Sequence, residues 1–160
     1  MNAYKGSCAF NDPLLYADNF GKPITVTQLE TLVDLSPSCK QFISWKCFQA
    51  PINSPDNTTK QYRLTYWKNR YTEAMGYWGN ATPIVYDTTL NMMCACGQTQ
   101  TCQYPWLRCN CDMNDNQWRE DSGYLTNNYD LPIQSFCAGD TGNCKVIIIQ
   151  VTRVTVIQVI

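Results

Sequence analysis

The sequence predicts an α+β domain rich in disulfides, with short helices packed on a mostly antiparallel sheet. Three observations predict it: ten cysteines in 160 residues, two helix-start signatures close together, and short runs of alternating side chains between turn residues. A chain of this length forms one domain and buries roughly 70% of its unfolded surface. Charged residues make up only 16%, against about 25% in an ordinary soluble domain. Cysteine (10), tyrosine (10) and tryptophan (5) fill the difference. Net charge is −1 and no Lys/Arg run exceeds a dipeptide, so nothing steers the chain toward nucleic acid or an anionic membrane.

Residues 1–24 are rich in turn signals, with Asn11-Asp12-Pro13 and Gly21-Lys22-Pro23. Thr27-x-x-Glu30 then has the spacing of a capping box, followed by Leu29, Leu32 and Val33 on one helical face. Ser36-Pro37 interrupts it, and a second box, Ser38-x-x-Gln41, predicts another helix with Cys39, Phe42, Ile43 and Cys47 facing inward. Eight residues of helix would separate the Cys39 and Cys47 Cα atoms by about 12 Å, whereas a disulfide needs about 4.4–6.8 Å. Either each bonds elsewhere, which is the preferred reading, or the helix breaks between them. A polar loop covers 51–60. Leu64, Tyr66 and Lys68 alternate with Thr65 and Trp67, the period of a strand, and Ile84-Val85-Tyr86 reads as another short one. The aromatic crowd from Tyr62 to Trp78 is assigned mostly to the core, with stacking platforms for sugars or bases as the alternative.

The last fifteen residues are dominated by Val, Ile, Thr and Gln, with Arg153 the lone charge and no Gly, Pro or aromatic. The chain thus divides into a domain over 1–145 and a β-prone tail over 146–160, a strand or strand pair with the composition of an aggregating segment. A rival reading takes the tail as a frame-shifted product, which codons lacking a GTT/ATT/CAG pattern would remove. No window is apolar enough to span a bilayer as a helix. The first residues lack the apolar run of a signal peptide, so a secreted form implies a signal removed or carried by a longer parent.

The cysteines are Cys8, Cys39, Cys47, Cys94, Cys96, Cys102, Cys109, Cys111, Cys137 and Cys144. Their even number and density point to disulfides in an oxidising compartment. The sequons at Asn57 (Asn-Thr-Thr) and Asn80 (Asn-Ala-Thr) agree, as N-glycosylation acceptors of a secretory route; Pro83 lowers occupancy at the second. In strands, the two members of a Cys-x-Cys pair share a face about 6.6 Å apart, so each reaches outward. An antiparallel register would then join Cys94 to Cys111 and Cys96 to Cys109, with Cys102 in the loop between. A four-thiolate zinc site is the rival, disfavoured by the oxidising setting.

Histidine is absent, which removes the commonest general base and metal ligand. Asp112-x-Asn114-Asp115-Asn116 begins like a calcium loop, but Gln117 stands where Gly is required and Gly123 where the bidentate Glu belongs. An Asx-rich turn is the preferred reading. Glu73, Glu120 and Asp121 are candidates for a glycosidase-like acid pair, with ordinary surface charge preferred. No catalytic residue, metal or cofactor is expected.

The run Cys94-Ala-Cys-Gly, Cys102, Cys109-Asn-Cys-Asp, Trp118-Arg-Glu-Asp-Ser-Gly, Leu125-Thr, Leu131-Pro, Gly139-Asp-Thr-Gly resembles the fibrinogen-like region of contactin-associated proteins, which are neurexin-related adhesion receptors. Ser38-Cys39-Lys-Gln-Phe-Ile-x-Trp-x-Cys47 and Met75-x-Tyr77-Trp78-Gly79-x-Ala81 extend the likeness upstream, to similar invertebrate extracellular proteins. The resemblance spans residues 25–142. It implies a shortened fibrinogen-like α+β module, an extracellular binding or spacer domain without catalysis. The family continues into a Gly- and aromatic-rich segment where this chain has its Val/Ile/Thr tail. Cys137 and Cys144 stand where the family commonly lacks cysteine, so a bond between them is expected. The functional expectation is a recognition or adhesion module, extracellular or an ectodomain, with a protein or glycan ligand on its aromatic and Asx-rich loops. The alternative is a structural protein that forms homo-oligomers or filaments by strand exchange through the tail.

Overall fold

A computed structural model describes residues 16–17, 20–53, 64–81, 93–138 and 146–156. Cys8, Asn57, Cys144 and the expected strand at Ile84–Tyr86 lie outside them. The elements run β1 (Tyr16–Ala17), β2 (Pro23–Ile24), α1 (Val26–Asp34), β3 (Cys39–Phe48), β4 (Thr65–Lys68), β5 (Ala74–Met75), α2 (Ala95–Thr99), a 310 turn (Asn110–Met113), β6 (Trp118–Leu125), β7 (Ser135–Ala138) and β8 (Val146–Val156). They form a β1-β2 hairpin and two three-stranded sheets, ordered β6-β3-β8 and β5-β4-β7. All described pairings are antiparallel. The chain is a small, disulfide-containing α+β protein dominated by antiparallel sheet.

The helix α1 begins two residues before the expected box. Thr25 is its N-cap, accepting from Gln28 N, while Gln28 Oε1 accepts from Thr25 N. Thr25-x-x-Gln28 has the same spacing as Thr27-x-x-Glu30, and it places the cap about one turn before Leu29 of the buried pair Leu29 and Val33. Leu32, expected inward, is 46% exposed.

The second predicted helix is instead the strand β3. Cys39, Gln41, Ile43, Trp45 and Cys47 are all buried at every second position, a period-2 face that outweighs the capping spacing at Ser38. Gln41 caps no helix; its Oε1 accepts Ile133 N at 3.0 Å. β3 is the centre of its sheet, paired along one edge with β6 from Gln41↔Leu125 to Phe48↔Trp118. Along the other edge it pairs with β8, with a bulge between Gln41 and Ile43. The segment expected as a β-prone tail thus lies along β3.

Between the sheets the core is largely aromatic. Trp45 meets Trp78 at 5.3 Å between ring centroids, and Trp78 stacks on Phe136 of β7 at 6.2 Å. Trp67 of β4 packs edge-on to Tyr77 at 5.1 Å and donates from Nε1 to Tyr77 O. The Tyr77 hydroxyl donates to Asp130, a buried carboxylate that also accepts from Asn69 and Asn127 side chains. Burial and the neighbouring Asp130 push the Tyr77 hydroxyl far above its ordinary pKa.

Segment 76–81 lies against β6 with almost no separation. A Cβ on Gly79 would lie 2.2 Å from Gly123 N, so the two backbones touch where side chains are absent. Asn80 N donates to Tyr124 O, and Tyr124 N donates to Asn80 Oδ1. Gly79→Ala is expected to lower unfolding stability by about 3 kcal/mol or more, read from urea titration of the oxidised protein.

Candidate functional site: a disulfide-bridged loop

The cysteine-rich block contains no strand pair. Cys94 and Cys96 flank the start of α2, and Cys109 precedes the 310 turn that contains Cys111, so the strand register expected for Cys94–Cys111 and Cys96–Cys109 does not arise. The bridges are Cys94–Cys109, Cys96–Cys102 and Cys47–Cys111. The first closes a loop over 94–109, the second closes a smaller loop within it, and the third joins its end to β3. Cys39 and Cys47 are not joined to each other. Cys39 is a free, buried thiol; it sits at the far end of β3, about 26 Å along the strand from Cys47. Cys137 is disulfide-bonded, with its partner outside the described residues.

Close packing fixes the loop further. A Cβ on Gly97 would lie 2.1 Å from Arg108 O, and Cys94 N donates to that same carbonyl at 3.0 Å. Gln100 ends α2 in the left-handed region, as Asn114 ends the 310 turn.

Two buried carboxylates replace the hydrogen bonds that regular structure would supply. Asp112 accepts from Ile52 N, Asn53 N, Asn53 Nδ2 and Cys109 N at 2.8–3.1 Å. Asp121, inward-facing on β6, accepts from Asn110 N and Cys111 N, both at 2.9 Å. Burial pushes the Asp112 carboxyl up to about 6, with the nearby Asp121 adding to it against the N–H groups that favour charge. Burial likewise raises Asp121. Asp121 was expected as surface charge; period-2 alternation places it inside and Glu120 outside, so the two form no acid pair. Glu120 accepts from Ser44 Oγ, and Glu73 from Asn69 Nδ2.

The Asx-rich run holds its own chain. Both Asp112 oxygens face N–H groups, and both Asp115 oxygens accept from the Arg119 guanidinium, which keeps Asp115 below the usual carboxylate range. Cys94, Cys109 and Asp121 have ligand atoms within 4.8 Å of one another, but the two sulfurs are bonded to each other at 2.03 Å and are not thiolates.

On this frame the loop displays aromatics. Trp106 is 75% exposed and lies 5.1 Å from Tyr104 between ring centroids. Arg119 sits over the Tyr104 ring at 5.8 Å. The Tyr104-Pro105-Trp106 sequence carried the signal, two aromatics about a proline between cysteines, yet the sequence reading passed over it. Asn80, the second sequon, is exposed, with Oδ1 held by Tyr124 N.

Two outcomes follow from the bridges and the acids. Non-reducing peptide mapping should recover pairs 47–111, 94–109 and 96–102, with Cys39 alkylated only after denaturation. The folded chain holds a proton on Asp112 that the unfolded chain releases near 3.8, so this group adds stability at low pH. The addition fades as pH rises through about 6. Urea midpoints from pH 4 to 7.5 should show this falling component in the native chain and lack it in Asp112→Asn.

No protein-family profile matches the chain, and no solved structure matches it. Contactin-associated protein 1 is 35% identical in Mus musculus and 34% in Homo sapiens, each over 114 residues covering 71% of this chain and 8% of that protein. Neurexin-4 of Drosophila melanogaster is 31% identical over 134 residues, 83% of this chain and 10% of that protein. The chain therefore spans a tenth or less of the length of these curated relatives. Over most of its length it is similar to a segment of contactin-associated protein 1 and neurexin-4.

Proposed function

We propose that the chain is an extracellular recognition module of adhesion type, related to the fibrinogen-like segment of contactin-associated proteins, which binds a protein partner through the bridged loop. Trp106 carries this reading. A tryptophan three-quarters exposed on a loop closed by two nested bridges loses little conformational freedom on binding and offers a large apolar surface. The loop holds its aromatics without a nucleophile–base pair: histidine is absent, and Asp112 and Asp121 are committed to backbone N–H groups. That supports binding over catalysis. The bridges and the similarity to the named proteins support an extracellular setting, in which Asn57 and Asn80 carry N-linked sugar.

Labelled chain made in an oxidising compartment should bind intact cells or matrix saturably. Trp106→Ala should weaken this about 30-fold, the loss of roughly 2 kcal/mol typical of an interface centre, with the urea midpoint unchanged. Equal binding by the variant would sink the assignment of the loop.

A second reading, self-assembly by strand addition, has its own observation: the eleven-residue β8 lies at an edge of its sheet. Sedimentation across a concentration series should then show growing species; a monomer at the highest soluble concentration would exclude it.

A further inference from the structure

The outward face of β3 and β6 holds the same arrangement twice. Alternation that turns Gln41, Ile43, Trp45 and Cys47 inward turns Lys40, Phe42, Lys46 and Phe48 the other way, opposite the side that holds the bridged loop. Phe42 meets Tyr124 at 5.4 Å between centroids, and the Lys40 ammonium stands 4.6 Å over the Tyr124 ring. Six residues on, Phe48 meets Trp118 at 5.6 Å, and the Lys46 ammonium stands 5.7 Å over the Trp118 ring. Tyr124 and Trp118 stay 40% and 49% exposed. Lys-x-Phe at 40–42 and at 46–48 thus makes two cationic aromatic units about 20 Å apart along the strand.

We propose that this face binds an extended, anionic linear glycan. Neither Lys40 nor Lys46 forms an ion pair among the described residues. Cation–π contact holds each ammonium over a ring while leaving N–H groups for an anion. The half-exposed rings offer apolar area to sugar faces. Glu120 stands opposite Lys46 in the strand register, but its carboxylate accepts from Ser44 Oγ and forms no ion pair with that ammonium. A ligand reaching both ammonium groups spans about 20 Å, which a chain of several acidic sugars supplies and a disaccharide does not. This surface is separate from the loop of Trp106.

The test measures binding of immobilised, oxidised full chain to sulfated oligosaccharides of increasing length. Comparison arms are the same polymer desulfated but carboxylated, an uncharged oligosaccharide, and a single-stranded oligonucleotide of equal charge. Affinity should rise steeply once the glycan spans both units and fall in 1 M salt, where screening acts within about 3 Å. Lys40→Gln and Lys46→Gln should each weaken it roughly fivefold, Trp118→Ala should weaken it also, and Lys22→Gln should not. Retention by the desulfated polymer assigns the carboxylate as the recognised group, and its loss assigns the sulfate. Trp106→Ala should leave this binding intact, which separates its failure from that of the loop. Absence of binding, indifference to both lysine substitutions, or equal affinity for the uncharged glycan or the oligonucleotide would overturn the proposal.

Discussion

Backbone N–H groups that leave water must find acceptors, and the loop over 94–111 has too little helix or sheet to provide them. Asp112 and Asp121 do so instead, the first gathering Ile52, Asn53 and Cys109, the second Asn110 and Cys111. Asp130 gathers side-chain donors in the same way, from the Tyr77 hydroxyl and the Asn69 and Asn127 amides. Burying a carboxylate is unfavourable unless several donors converge on it. Each of these acids therefore demands its neighbours as much as they demand it, and the irregular segments acquire a single conformation.

β3 is where this arrangement meets the rest of the protein. Its inward face supplies Trp45 to the aromatic core and Cys47 to the bridge with the loop, while its outward face supplies the paired lysines and phenylalanines. One ten-residue strand, hydrogen-bonded on both edges, thereby sets the orientation of both candidate surfaces. The alternation of its side chains keeps them apart.

Much of this was legible in the sequence, and the failures have physical causes. The α1 face was found through Leu29 and Val33, whereas β6 was not read as a strand because its inward positions include the polar Arg119 and Asp121. β3 was misread because Cys39, Phe42, Ile43 and Cys47 fit a helical spacing and Ser38-x-x-Gln41 imitates a cap. Its true period shows only when polar Gln41 is allowed inside, where it serves Ile133 N. The bridge pattern failed for the same kind of reason. A register argument presupposes strands, and Gly97 pressed on Arg108 makes a compact turn of that segment instead. Asp121 lay beyond local pattern, because its burial depends on a loop folding over it.

The Cys47–Cys111 bond has a mechanical side. Tension applied to the displayed loop passes through sulfur to the middle strand of a sheet, so the load is shared among covalent links and the ladders on both sides of β3. Pulling the loop away from the protein requires shearing that strand from two neighbours at once.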